Sequence, residues 1–276
     1  MQRVVHVPTL PPRAAEGHKG SYGTVLIVAG SAGMLGAAIL AARGALRGGA
    51  GLVRACVPAE LRGAFTAAVP AATTLARDGT PATWLDGATV AVLGPGLGTG
   101  PAAVALVEEL VHVASIPLVL DADALNVLAP LSAPLGTTAP VVLTPHPGEA
   151  GRLLGASASA VNADRSAAAA ALVGRAGGAR GAGRIVVLKG ANTVVCDGGR
   201  EFVNDTGNPG MATGGSGDVL AGLLGAMLAQ GLSPFDAACL GVHVHGAAAD
   251  RVAARLSQCG LIAEDLPLAI AEVLRP

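Results

Sequence analysis

Aromatic residues are almost missing from this 276-residue chain: one Trp, one Tyr and three Phe, or 2% of the total. The core must therefore be filled by Ala, Val and Leu, and hydrophobic residues do reach 51%. Lysine is nearly absent too, since only Lys19 and Lys189 stand among 18 basic residues. With 19 acidic residues the net charge is -1, which offers no attraction to nucleic acid or an anionic membrane surface. No uninterrupted apolar run approaches the ~20 residues that a membrane helix needs. The opening stretch MQRVVHVPTLPPR lacks the apolar centre of a secretory signal. The four cysteines (Cys56, Cys196, Cys239 and Cys259) have neither CxxC nor zinc-like spacing, and read as reduced structural thiols of a cytoplasmic protein.

Glycine, by contrast, is plentiful, at 40 residues beside 18 prolines with no repeating period. The two residue types read as turns and loops. Between them, short runs rich in β-branched residues alternate with Ala- and Leu-rich segments. TVLIVAG (24–30), LVRACVP, TVAVLGPG, PLVLDAD, PVVLTPH and RIVVLKG read as strands; residues 33–49 and 101–114 read as helices. Near-continuous apolar strands joined by helices imply an α/β fold, a mostly parallel sheet with helices on both faces. TVVCDGG and EFVN read as a hairpin at one antiparallel edge, and three helical segments follow residue 215. With no linker and no repeat, one domain is expected.

In such sheets ligands bind at the carboxyl ends of the strands. The polar, Gly-rich segments fall at those ends: GSAG (30–33), GPGLG (94–98), DADALN (121–126), TPHPGE (144–149) and KGANT (189–193). They are joined by NDTGNPGMATGGSGDVLAG (204–222), where glycines crowd before a helix and a carboxylate stands at the join. Two phosphate signatures are excluded. A Walker A loop needs Gly-Lys-Ser/Thr, yet both lysines precede glycine, and GPGLGTGP lacks the GxGxxG spacing.

A helix starting near Gly215 or Ser216 directs unpaired N–H groups and a positive dipole end at the loop, and glycines let these amides close around an anion. Asp218 in the first turn fits a base that takes a proton from a hydroxyl attacking a phosphoryl group. The bland alternative is that Ser216 or Asp218 only caps the helix. Asp121 and Asp123 suit either orienting magnesium or capping the next helix, and Glu149 would stand behind such an ion. His243 and His245, two apart on a helix, fall on different faces and do not form a metal pair.

NxTGNxGMATGGSGDVLAG, with KGANTVV, LTPHPGEAGRLLG, GHKGSYGTVLIVAGSAGMLGAAILAARGALRGGAGLVRACVP, VLGPGLG and PLVLDADALN, resembles the NAD(P)H-hydrate dehydratase family of the ribokinase-like superfamily. The likeness runs in order from about Gly17 to the C-terminus, which implies a single ribokinase-like domain over 17–276 behind an extended arm, residues 1–16, with three prolines. GxGD alone is common to many small-molecule kinases; HPGE together with NxTGNxGMATGGSGD is specific.

The resemblance implies a repair lyase acting on the (6S)-hydrate of NADH or NADPH. ADP or ATP, with Mg2+, phosphorylates the hydroxyl, and phosphate then leaves. Asp218 would be the base, and the amides of Gly215, Ser216 and Gly217 the anion hole. Lys189, Gly190, Ala191, Asn192 and Thr193 would hold the AMP part of the nucleotide, with Gly217 nearby. Ala37, Gly96, Gly98, His146 and Asp218 would meet the hydrated dinucleotide. His146 otherwise reads as an incidental loop histidine. The resemblance further implies a homotetramer in the cytoplasm, and a separate epimerase as functional partner, because a pocket aligning one hydroxyl should serve one epimer. The alternatives are a vitamin-precursor kinase of the hydroxyethylthiazole kinase type and a nucleotide-binding regulatory module without turnover.

Overall fold

A computed structural model describes residues 1–177 and 183–275. Ten strands of the described residues make one sheet: β1 (Gln2–Val4), β2 (Thr24–Val28), β3 (Leu52–Val57), β4 (Thr73–Ala76), β5 (Val90–Leu93), β6 (Leu118–Leu120), β7 (Val141–Leu143), β8 (Arg184–Leu188), β9 (Val194–Cys196) and β10 (Arg200–Val203). Their lateral order is β1-β10-β9-β8-β7-β6-β5-β2-β3-β4. Only β9 runs antiparallel to its neighbours, so the expected hairpin is present. Every strand expected from its apolar run forms. β1 and β4, one at each edge, were not expected; an edge strand needs less apolar patterning, and TTLA of β4 is half-buried at best. β1 lies inside the segment read as an extended arm, and pairs in parallel with β10.

The helices are α1 (Leu35–Arg47), α2 (Arg62–Ala68), α3 (Pro81–Leu85), α4 (Pro101–Val113), α5 (Asp123–Val127), α6 (Pro147–Leu154), α7 (Ala158–Ala163), α8 (Arg165–Arg175), α9 (Ser216–Ala229), α10 (Pro234–Arg255) and α11 (Leu266–Val273). They cover both faces. In β2, Val25 and Ile27 join α1, α9, α10 and α11 in one apolar cluster, whereas Leu26 and Val28 join α4, α6 and α8 in the other. This two-sided burial is why the strands read as continuous rather than alternating hydrophobic runs. No helix among the described residues is long and apolar enough to cross a membrane.

α9 is the helix under the site. It is apolar almost all round, and so lies inside, against α1 and the sheet. Its glycines answer to contact. A Cβ on Gly222 would stand 1.8 Å from the Ala41 carbonyl oxygen, and one on Gly44 of α1 would stand 2.3 Å from that of Val219. The two helices cross at backbone distance, and that closeness seats Leu40 against Gly215.

β2 has β3 on one side and β5 on the other, and the chain order runs outward in both directions from that pair. This is the switch point at which the connections after neighbouring strands part to leave a crevice. The loops after β2 and β5 meet across it: the Gly30 N–H donates to the Pro95 carbonyl at 2.8 Å, and the Ser31 hydroxyl to that of Gly96 at 2.9 Å.

Candidate active site

Ala37, in the first turn of α1, lies on that crevice. A Cβ on Gly96 would come within 2.9 Å of the Ala37 methyl and 2.6 Å of the Met34 carbonyl oxygen, and Gly96 has φ 60. The Gly98 N–H donates to Asp123 Oδ2 at 2.8 Å. Ala37, Gly96 and Gly98, three of the five residues expected to meet the dinucleotide, are thus gathered at the switch point, and Asp123 ties them to the charged groups beside it.

Those charged groups surround Lys189, at the end of β8. Its Nζ lies 2.7 Å from Asp121 Oδ1 and 3.9 Å from Glu149 Oε2. Asp121 is fully buried and also accepts the Thr144 hydroxyl at 2.7 Å. Burial alone would lower the Lys189 ammonium, but Asp121, Glu149 and Asp218 together hold it above its ordinary value. The lysine is the counter-ion of three carboxylates. Sequence reading assigned its loop to the AMP part of a nucleotide; the ammonium itself turns into the carboxylate cluster, while Gly190, Ala191 and Asn192 remain exposed.

Asp218 enters the same cluster from the first turn of α9. Gly215, with φ 90, is the N-cap residue and supplies no side chain to cap the helix. A Cβ on Gly217 would stand 3.1 Å from Lys189 Nζ, so a side chain there would crowd the ammonium. Burial raises the Asp218 carboxyl to about 7, with the Asp121 charge adding to the rise and Lys189 opposing it. A carboxyl in that range is poised to exchange a proton near neutral pH.

His146 lies at the edge of this cluster and is half exposed. Its Nδ1 accepts the backbone N–H groups of Gly148 and Glu149, at 3.0 and 3.4 Å, while its own backbone N–H donates to Glu149 Oε2 at 2.8 Å. It therefore caps α6, a structural duty absent from the sequence reading. Burial, Lys189 and Arg152 lower its pKa, so the ring is neutral at pH 7 and its 3.5 Å approach to Glu149 is no ion pair. Burial raises Glu149, against the pull of Lys189.

Two further residues support the site without a motif to announce them. Arg165, at the start of α8, donates to the carbonyls of Leu188 and Lys189 at 2.8 and 3.1 Å, and so fixes the chain that carries the lysine. His245, on α10, is buried with its ring against the Ser216 backbone and its Nε2 unpartnered; burial brings its pKa down to about 4. Arg165 is a polar residue in an otherwise ordinary helical stretch, which is why spacing does not single it out, and His245 enters the sequence reading only as half of a rejected metal pair.

The three acidic candidates for a metal are engaged within the chain. Asp121 serves Lys189 and Thr144, Asp123 serves Gly98 and Asn126, and Glu149 serves His146 and Lys189. Among the described residues no group of three or more His, Cys, Asp or Glu is arranged to hold an ion.

A family profile described as NAD(P)H-hydrate dehydratase matches residues 25–271, most of the chain. The chain belongs to the NAD(P)H-hydrate dehydratase family. Among curated proteins it is similar to an ADP-dependent (S)-NAD(P)H-hydrate dehydratase of Neisseria meningitidis, 45% identical over 249 residues, covering 86% of this chain and 80% of that protein. A bifunctional NAD(P)H-hydrate repair enzyme of Moorella thermoacetica is 45% identical over 280 residues, covering 96% of this chain and 52% of its own length. The chain thus spans about half the length of the bifunctional relatives it matches. A crystal structure of the ADP/ATP-dependent NAD(P)H-hydrate dehydratase of Bacillus subtilis, co-crystallised with ATP/Mg2+, superposes with a TM-score of 0.84 at 33% identity, covering 96% and 93% of the two chains. The ribokinase-like α/β fold expected for a hydrate dehydratase is the one these chains share.

Proposed function

We propose that this chain is an ADP/ATP-dependent (S)-NAD(P)H-hydrate dehydratase, a lyase that restores NADH or NADPH from the (6S)-hydrate. The observation that carries the reading is Asp218: a carboxyl held near neutral pKa, in the first turn of a helix whose start lacks a side-chain cap, beside the crevice bounded by Ala37, Gly96 and Gly98.

Hydroxide is a poor leaving group and phosphate a good one, so a phosphoryl-transfer site can serve a dehydration. Asp218 takes the proton of the substrate hydroxyl as its oxygen attacks the terminal phosphorus of ATP or ADP. The phosphorus–oxygen bond to the nucleotide breaks, leaving ADP or AMP. The backbone amides at Gly215, Ser216 and Gly217 face the charge that develops on the transferred group. The carbon–oxygen bond then breaks with help from the ring nitrogen's electron pair, phosphate departs, and loss of a neighbouring proton restores the nicotinamide double bond. Lys189 keeps three carboxylates compatible in one site and leaves Asp218 basic enough to act.

Ala37, Gly96, Gly98 and His146 would receive the hydrated dinucleotide, and the exposed turn from Gly190 to Thr193 the AMP part of the nucleotide. The chain's own carboxylates do not make a closed magnesium cage. They fit an ion that keeps several waters and takes most of its remaining ligands from nucleotide phosphates, with one or two protein oxygens from Asp121, Asp123 or Glu149. Bound there, magnesium would neutralise phosphate charge. Carried over from the family resemblance, the proposal includes a cytoplasmic homotetramer and a separate NAD(P)H-hydrate epimerase that supplies the S epimer; light scattering in solution tests the assembly.

Product analysis tests the chemistry. Incubation of hydrated NADH with Mg2+ and ATP or ADP should yield NADH, free phosphate and the shortened nucleotide in equal amounts. A phosphorylated hydrate that accumulates unchanged would make the chain a kinase instead.

A further inference from the structure

The loop that leads into the α9 anion site, residues 204–215, contains four glycines and one proline; a turn at Pro209–Met211, capped by Asn208, and the Met211 side chain on the apolar core hold its centre, and residues 212–214 have little beyond that. A Cβ on Gly214 would meet nothing within 4 Å, and Ala212 is exposed. Such a segment does not order itself, because glycine backbone loses more freedom on folding than any other. Its geometry beyond the Pro209–Met211 turn depends on what grips the residues that lead into and out of it.

α10 grips both. At the near end, the Thr206 hydroxyl donates to the His243 carbonyl at 2.9 Å. Gly246 lets Thr206 approach so closely that a Cβ there would stand 2.3 Å from its hydroxyl oxygen. The Asp250 carboxylate then accepts from two consecutive residues: the Gly207 N–H at 2.8 Å on Oδ2, and Asn208 Nδ2 at 2.9 Å on Oδ1. Asn208 Oδ1 in turn accepts the Gly210 N–H at 3.0 Å. At the far end, His245 lies against the backbone of Ser216. Positions 243, 246 and 250 follow one another at helical spacing, so one face of α10 meets the loop.

We propose that Asp250 is a positioning residue for the phosphate-binding loop: by fixing Gly207 and Asn208 it sets where the amides of residues 215–217 stand. It acts through the loop and not on a substrate. A side chain that aligns reacting groups in this way alters turnover far more than fold stability, because a small displacement of donors from the transferred phosphoryl costs rate steeply. The proposal rests on the dehydratase reading for its rate measurement, and on phosphate binding alone for its second.

The geometry supplies a reciprocal test. In Asp250→Asn the new amide must face either the Gly207 N–H or the Asn208 amide, donor against donor. In Asn208→Asp two carboxylates oppose each other. The double variant Asn208→Asp/Asp250→Asn restores both hydrogen bonds at unchanged net charge. There the amide introduced on α10 donates to the carboxylate introduced on the loop, and its oxygen accepts from Gly207. Turnover of hydrated NADH, with kcat and KM resolved, and the affinities for ATP and AMP by calorimetry should be measured for all four proteins. The expected result is at least a tenfold loss of kcat and of ATP affinity in each single variant, little change for AMP, and recovery to within about threefold in the double variant. Where a single variant does not fold, Thr206→Val, which removes the His243 contact, replaces it and should lose ATP affinity over AMP. Singles that keep wild-type kcat and ATP affinity, or a folded double that fails to recover, would overturn the proposal. If the unaltered protein shows no turnover, the dehydratase reading fails, and the ATP-against-AMP comparison still decides the role of Asp250.

Discussion

Lys189 and Asp121 meet at 2.7 Å inside a site that also holds Asp218 and Glu149, so one ammonium balances three carboxylates. Burial raises the Asp218 carboxyl to about 7, and the surplus negative charge of the cluster, Asp121 first, adds to the rise. A site with less negative charge or more water would leave an aspartate fully ionised and a weaker base.

Asp218→Asn should reduce turnover by roughly 10²–10⁴-fold while ATP and ADP still bind. The amide keeps size and can still accept a hydrogen bond, but it cannot take a proton. Steady-state rates and calorimetry on the same preparation check it, and a variant within tenfold of wild type would reduce Asp218 to a helix residue.

The pH dependence has two signs. Because the base must be ionised, kcat/KM should rise with pH through about 7 and level off above it. Stability runs the other way. The Asp218 carboxyl ionises less readily in the folded protein than at its ordinary 3.8, so its contribution to stability falls as pH rises from there to about 7. Asp218→Asn should therefore melt above wild type at pH 8, by an amount on the order of 2 kcal/mol, with the difference closing toward pH 4. Melting curves across that range are the check, and an equal gap at both ends would contradict the shift.

Lys189→Met removes the counter-ion and leaves buried Asp121 unpaired. Breaking such a pair by deleting one partner costs roughly 3–5 kcal/mol. The variant should unfold at markedly lower denaturant concentration, and whatever activity survives should have its rising pH limb moved to higher pH, since Lys189 now holds Asp218 down. An unshifted limb would remove Lys189 from the electrostatics of the site.

His146→Ala should weaken the hydrated dinucleotide more than the adenine nucleotide, and should also cost about 1 kcal/mol for the lost α6 cap. His146→Asn, which can still cap, separates the two effects: stability should return and dinucleotide affinity should not. Return of both would leave His146 a cap and nothing more.

Most of the fold was legible because its strands are buried on both faces, so that TVLIV or RIVVL stands out as a run whatever its partners. Edge strands β1 and β4 were not, since half-solvated residues need no such pattern. The glycines of the site announced themselves, and Ala37 with Gly96 and Gly98 does gather at the crevice. What stayed hidden was direction. KGANT marks a loop, but nothing in its spacing says that the Lys189 side chain turns back into the carboxylates. Likewise Arg165, His245 and Asp250 act across long sequence separations, on backbone atoms that carry no sequence signature.

The most direct measurement is the nicotinamide absorbance of purified (6S)-NADH hydrate, followed with the protein, Mg2+ and either ATP or ADP. Absorbance should return with at least one nucleotide, should not return without nucleotide, and should return roughly 10²–10⁴-fold more slowly with Asp218→Asn. Absence of return with both nucleotides, or equal return when nucleotide is left out, would contradict the dehydratase assignment.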